Sequence, residues 1–238
     1  MNQQEKIVTM FDNIAKSYDV ANRVLSFGID KGWRKEACRT TFEIYGHKNI
    51  DMILDVACGT GDMCEHWDKE AKERGIKISE IYGVDPSSGM LEVARGKNLN
   101  AKFLQAEAKD LPSKDNSVDI LSISYGLRNV VERDKGLKEF YRVLKPGGVL
   151  VILEFTKLQK ETLLSKLRDF YMKKILPLIG GIVSKNHEAY SYLPNSIEGF
   201  LTKERLIQEL KETGFNIEVA KGYSMNISTL FIAVKPKN

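Results

Sequence analysis

Metal-binding and disulfide-forming residues are scarce in this chain. Its 238 residues hold three cysteines and three histidines, and Cys58 and Cys64 stand in a C-x5-C spacing that matches no common zinc pattern. No metal site is expected. A long hydrophobic run is also missing. The longest, Ile175 to Val183, covers nine residues and is interrupted by Pro177, Gly180 and Gly181, against roughly 20 for a membrane-spanning helix. The first residues, Met1 to Lys6, build no basic-then-apolar secretory signal. Nor is one sign of charge in excess: 36 basic and 32 acidic residues give +4, too scattered for a nucleic-acid surface. Linkers, repeats and low-complexity tracts are absent. What remains is expected to be one cytoplasmic domain over residues 1–238, with 42% apolar and 29% charged residues, as ordinary globular chains have.

The order of elements carries the next step. Ile7, Phe11, Ile14 and Tyr18 recur at steps of four, three and four, which predicts an amphipathic helix over 5–19. A second helix is predicted over 30–45. A regular alternation follows: strand 52–57, helix 61–73, strand 80–84, helix 88–94, strand 102–106, strand 118–124, helix 132–144 and the fully apolar strand 149–153. Strands buried on both faces of a parallel sheet read this way. After Phe155 the alternation stops for about 45 residues, resuming with a helix over 202–213 and strands over 215–220 and 228–234. The last two are too close for a crossover helix, so they should pair antiparallel. The expectation is an α/β, Rossmann-like, seven-stranded, mostly parallel sheet with an antiparallel last strand, binding its ligand at the carboxyl ends of the strands.

At those ends lies Leu54-Asp55-Val56-Ala57-Cys58-Gly59-Thr60-Gly61-Asp62, a glycine turn opening a helix. A dinucleotide fingerprint would need a third glycine where Cys64 stands. Asp55 and Asp62 flank the turn, Asp85 ends the second strand and Glu107 the third, so four carboxylates should converge on one crevice. They would repel a pyrophosphate and suit a ligand with an ammonium, a sulfonium and a ribose diol, which describes S-adenosylmethionine. Asp85 should accept both ribose hydroxyls, because two carboxylate oxygens fit a vicinal diol. Gly59 and Gly61 would admit the methionine portion, Thr60 would bond its carboxylate, Glu107 and Ala108 would flank the adenine, and Ser124 would sit beside the methyl group. The competing reading of Asp85 is a cap for the helix beginning at Ser87 or Ser88. Nucleobase methylation is disfavoured, since Ser122 to Asn129 lacks an Asn/Asp-Pro-Pro-aromatic element and no cysteine follows Cys64 to act as nucleophile.

The chain also resembles the UbiE family, the C-methyltransferases of menaquinone and ubiquinone biosynthesis. The resemblance covers nearly its whole length. It is carried by Met10 to Asp19, Asn22 to Gly28 with Trp33-Arg34, Gly59-Thr60-Gly61-Asp62, Tyr125-Gly126-Leu127-Arg128-Asn129-Val130, Tyr141 to Gly148, Leu153-Glu154-Phe155 and, most specifically, Ala189 to Ile197. Cys58 stands where the family commonly has glycine, and Gly222 to Thr229 departs from its Asn-Leu-Thr-x-Gly wording. The resemblance implies a class I S-adenosylmethionine-dependent methyltransferase acting on a ring carbon of a polyprenylated hydroquinone, by family analogy demethylmenaquinol. A methoxy-polyprenyl-benzoquinol or another small apolar acceptor stays open. Thr60, Asp85, Glu107, Ala108 and Ser124 match the family's donor-binding positions.

A ring carbon attacks a sulfonium methyl only when electron-rich, so the reduced hydroquinone, with a proton removed from its hydroxyl, is the expected substrate and S-adenosylhomocysteine the product. Arg128 and Asn129, just past the fourth strand, are candidates to face the acceptor, with a surface Arg128 as the competing reading. Tyr18, His187, Tyr190 and Tyr192 are candidate acids or bases. The N-terminal helices (1–48) and the helical insert (157–200) are expected to cover the acceptor. In the insert, Phe170, Tyr171, Ile175, Leu176, Leu178, Ile179, Ile182 and Val183 would guide the polyprenyl tail, and Lys166, Arg168, Lys173 and Lys174 would favour transient contact with the inner face of the membrane. A homodimer is left open.

Overall fold

Runs of β-branched and leucine side chains bounded by Gly, Asp and Ser become seven strands of one sheet. The computed structural model describes residues 1–158, 187–224 and 226–237, without the side chains at 187–190. Along the chain stand α1 (Gln3–Ser26), α2 (Ile29–Tyr45), β1 (Asn49–Val56), α3 (Asp62–Glu73), β2 (Lys77–Asp85), α4 (Ser88–Gly96), β3 (Lys102–Gln105) and β4 (Val118–Ser124). A 3-10 turn (Leu127–Asn129) leads to α5 (Arg133–Val143) and β5 (Leu144–Phe155). Then come α6 (His187–Glu198), α7 (Lys203–Thr213), β6 (Asn216–Tyr223) and β7 (Ser228–Val234).

The strand order is β3-β2-β1-β4-β5-β7-β6. The first five are parallel, and β7 runs antiparallel between β5 and β6. This is the expected sheet, and the order reverses between β1 and β4, where doubly wound sheets open a crevice. Side chains alternate between faces with period two. Leu150 and Ile152 join Phe140, Leu206 and Phe231 on one side, while Val149, Val151 and Leu153 join Phe42 and Trp67 on the other.

The first helix runs further than its stripe suggests, on through Ser26. Its start is fixed by a capping box, in which Asn2 accepts from the Glu5 amide and Glu5 accepts from the Asn2 amide, each at 2.9 Å. Its end is set by Phe27 in the left-handed region. Ile14, Ala15 and Leu25 pack on Met90 and Val93 of α4 and on Leu193 and Ile197 of α6. The helix therefore crosses the strand ends.

Candidate active site

A cavity of about 340 Å³ opens at the switch point, lined from the ends of four strands by Ala57, Gly59, Asp85, Glu107, Ala108 and Ser124, among others. Two residues with side chains, Ala57 and Tyr125, sit in the left-handed region there (φ +51° and +57°), at the ends of adjacent β1 and β4. Such conformations cost about 1 kcal/mol or more and persist only where packing enforces them. Gly126 shows how tight the packing is, because a Cβ there would lie 2.5 Å from that of Ala57.

Asp85 is buried, and burial pushes its carboxyl up to about 6. One oxygen accepts from the Ser87 amide at 2.9 Å and the other from the Gly59 amide at 2.8 Å. Each oxygen keeps a lone pair for a further donor. Helix α4 is capped by Ser87, which accepts from the Met90 amide at 3.1 Å, so Asp85 is not its cap. The Ser124 hydroxyl is buried without a partner.

Four converging carboxylates were expected, and the structure corrects this to two, Asp85 and Glu107. Asp55 lies beneath the turn, accepting from Ser122 Oγ at 2.6 Å and from the Cys64 thiol at 3.8 Å. Burial pushes it up to about 7. Trp67 Nε1 donates to the same Ser122 hydroxyl at 3.0 Å. Asp62 turns toward α1, paired with Arg23 and Lys97. Although burial opposes it, Arg34, Arg23 and Lys97 hold its carboxyl below the usual range. Thr60 donates to Asp19 at 2.5 Å, and neither it nor Gly61 lines the cavity. Apart from Cys64, these hydrogen-bond partners lie 35 to 67 residues away, beyond the reach of any local sequence pattern. Glu107 is itself paired with Lys109 at 3.3 Å.

A second, more apolar chamber of about 250 Å³ shares Phe11, Tyr18 and Tyr125 with the first. Arg128 lines it and is not a surface residue. Its Nη1 donates to Glu154 at 2.7 Å and to the Tyr125 carbonyl at 2.5 Å, and its Nε donates to Ser196 at 3.2 Å. Arg34, 5.1 Å above the Tyr125 ring, also lines the chamber. Tyr125 stacks on Phe155 at 4.5 Å, and Arg128 lies 5.4 Å over Phe155. Two guanidiniums thus bracket an aromatic pair. Asn129 lines the first cavity and accepts at 3.0 Å from the hydroxyl of Tyr192, which lines the second. Burial raises the Tyr18 and Tyr192 hydroxyls; for Tyr18 the Asn22 hydrogen bond, Arg128 and Arg34 oppose it.

His187 begins α6, but its side chain and that of Tyr190 lie outside the described residues, as do Lys166, Arg168, Phe170, Tyr171, Lys173, Lys174, Ile175, Leu176, Leu178, Ile179, Ile182 and Val183. Sequence reasoning did not assign site roles to Arg34, Asp30 or Asp12. Asp30 and Arg34 carry a legible signal, an i,i+4 pair at 2.5 Å. Asp12 carries none, yet it reaches from α1 to accept from Ser87 Oγ at 2.6 Å and the Gly89 amide at 2.8 Å. Among the described residues no cluster of His, Cys, Asp or Glu could hold a metal, and no helix is long and apolar enough to cross a membrane.

Residues 1–235 match the model of the ubiE/COQ5 methyltransferase family. The chain is 56% identical to the Campylobacter jejuni protein named ubiquinone/menaquinone biosynthesis C-methyltransferase UbiE, over 99% of this chain and 100% of that one. It is 38% identical to a Thermotoga maritima protein named demethylmenaquinone methyltransferase, over 87% of each. Among solved structures it resembles an S-adenosylmethionine-dependent methyltransferase of Thermotoga maritima, titled a possible histamine N-methyltransferase, with a TM-score of 0.62 and 21% identity over 96% of this chain and 99% of that one. A putative methyltransferase complex from Haloferax volcanii gives a TM-score of 0.65 at 16% identity, over 95% and 97%. The last two speak for the fold alone.

Proposed function

The chain belongs to the ubiE/COQ5 methyltransferase family, whose members are C-methyltransferases of quinone biosynthesis, and from that premise we propose that it methylates demethylmenaquinol to menaquinol. The observation that carries the reading is the pair of adjoining chambers, one polar at the strand ends and one apolar, meeting at Phe11, Tyr18 and Tyr125. The family's S-adenosylmethionine fits the first. Asp85 offers two unfilled lone pairs to a diol, Ser124 an unpartnered hydroxyl, and Gly59 a turn without a Cβ. Glu107 and Ala108 would flank the adenine. Asp55, Thr60 and Gly61 lie outside the cavity lining and would support the turn from behind. When bound, S-adenosylmethionine supplies an electrophilic methyl group and leaves as S-adenosylhomocysteine.

The chain's own residues do the rest. Residues 1–48 and the described part of 157–200 wall the second chamber, which would exclude water from the acceptor ring. Arg128, held by Glu154, would place positive charge beside the acceptor's hydroxyl as its proton passes to water, stabilising the phenolate; the ring carbon then takes the methyl group, and its own proton returns to the oxygen to restore the hydroquinone. Asn129 joins the two chambers, with its amide oriented by Tyr192. Tyr18, which lines both chambers, would contact the acceptor oxygen.

The naphthoquinol is preferred because both relatives described above are named for menaquinone synthesis, one of them for that route alone, whereas the other is named for the ubiquinone route as well. The test supplies methyl-labelled S-adenosylmethionine with demethylmenaquinol, a methoxy-polyprenyl-benzoquinol and a sterol, and identifies products by mass. Label in the naphthoquinol ring is the expected result. Label in the benzoquinol alone would move the enzyme to the ubiquinone route, and label in the sterol alone would refute quinol methylation. Asp85→Ala should weaken donor binding by about 1.5–3 kcal/mol, and wild-type affinity would refute the cofactor assignment.

A further inference from the structure

One corner of the molecule exposes apolar side chains that a solvated surface does not require. Val20 and Val24 on α1 are 59% and 43% exposed, Phe27 at its cap 77%, and Ile29 at the start of α2 51%. Val20, Val24 and Phe27 follow at steps of four and three and so share an arc of about 60°. Lys16, exposed one turn earlier, continues that face, and exposed Lys31 flanks it beyond Ile29. The acidic residues nearby are already paired, Asp19 with Lys97 and Asp30 with Arg23 and Arg34. The corner is therefore an apolar ridge with a basic border.

Its position is as telling as its composition. Phe27 and Ile29 also line the second chamber, so the ridge is continuous with the wall around the proposed acceptor. We propose that the α1–α2 corner is a docking edge for an anionic lipid bilayer, through which a polyprenylated acceptor passes from membrane to chamber without its tail crossing water. The inference rests on the acceptor reading above. The apolar residues enter the headgroup region while Lys16 and Lys31 meet anionic headgroups, the pattern of interfacial helices.

The test is sedimentation of the full chain with vesicles of phosphatidylglycerol and phosphatidylethanolamine, and with phosphatidylcholine alone, without acceptor. The expected result is binding to the anionic vesicles that Val20→Gln/Val24→Gln reduces about tenfold. Phe27→Asn should do the same, since asparagine tolerates the left-handed backbone that Phe27 adopts. The Val20→Gln/Val24→Gln variant should keep wild-type turnover of a short-tailed, water-soluble acceptor and lose turnover of a long-tailed acceptor embedded in vesicles. Unchanged vesicle binding in both variants overturns the proposal. So does a wild type that ignores vesicles but forms a dimer abolished by Val20→Gln/Val24→Gln, because the ridge then faces a second copy. Vesicle binding that depends on the ridge in a protein inactive toward every quinol would support the docking edge and refute the acceptor reading.

Discussion

Removing Glu154 should cost far more than removing its charge partner with it. Its carboxylate is fully buried and accepts three hydrogen bonds: from Arg128 Nη1 at 2.7 Å, the Arg128 amide at 3.1 Å and the Phe155 amide at 2.8 Å. Glu154→Leu leaves a buried guanidinium without counter-charge and two amides without acceptors. Stranding one member of a buried pair costs about 3–5 kcal/mol, and each amide about 1–3 kcal/mol. Arg128 keeps the Tyr125 carbonyl and Ser196 Oγ, which softens the loss, so about 5 kcal/mol is expected for the variant. Arg128→Leu leaves Glu154 with its two amide donors and should cost about 3 kcal/mol. The double variant buries no charge but still strands the two amides, and should cost about 3–4 kcal/mol, well below the two single losses combined. Urea unfolding of the four proteins measures the cycle. Additivity within about 0.5 kcal/mol would refute the reasoning. Arg128→Leu should also lower turnover with donor affinity nearly unchanged, and wild-type turnover would remove Arg128 from the chemistry.

Asp85 predicts a pH dependence of definite sign. Its carboxyl rises from 3.8 to about 6 on folding, so the folded state holds the proton more tightly, and this stabilising contribution is lost as pH rises from 4 through 6. Stability of Asp85→Asn relative to wild type should therefore climb by about 3 kcal/mol across that window in pH-dependent unfolding; a flat difference refutes the burial argument. Donor affinity of the wild type should fall below pH 6 by calorimetry. Gly126→Ala should lower stability by about 1–3 kcal/mol in thermal melts, since its Cβ meets that of Ala57 at 2.5 Å. Tyr192→Phe frees the Asn129 amide and should cut kcat/KM about fivefold, equivalent to about 1 kcal/mol, with little change in melting; unaltered kinetics would exclude a role for this orienting hydrogen bond.

Most of the fold was legible because strands and helices follow local period. The β4 and β7 bounds, Val118–Ser124 and Ser228–Val234, match the expected ones. The first helix was read short because its stripe ends at Tyr18, whereas the stop depends on Phe27 taking the left-handed conformation. The cavity lining was legible where a strand end fixes the position, as with Asp85 and Ser124, and illegible where a distant partner decides orientation. Asp55 and Asp62 are acidic at the expected places, but Ser122, Cys64, Arg23 and Lys97 turn them away from the cavity. Sequence alone leaves Arg128 a competing surface position; its burial depends on Glu154, 26 residues on, which pairs with it.

Residues near the start of α1 line the first chamber and those near its end line the second. One rigid helix thus belongs to both binding equilibria. Where a shift of that helix widens one chamber and alters the other, the two proposed ligands are linked, and each then changes the other's affinity by the same factor. The quinol should then bind with a different dissociation constant when the methyl donor is present, and the donor's own constant should move equally in return.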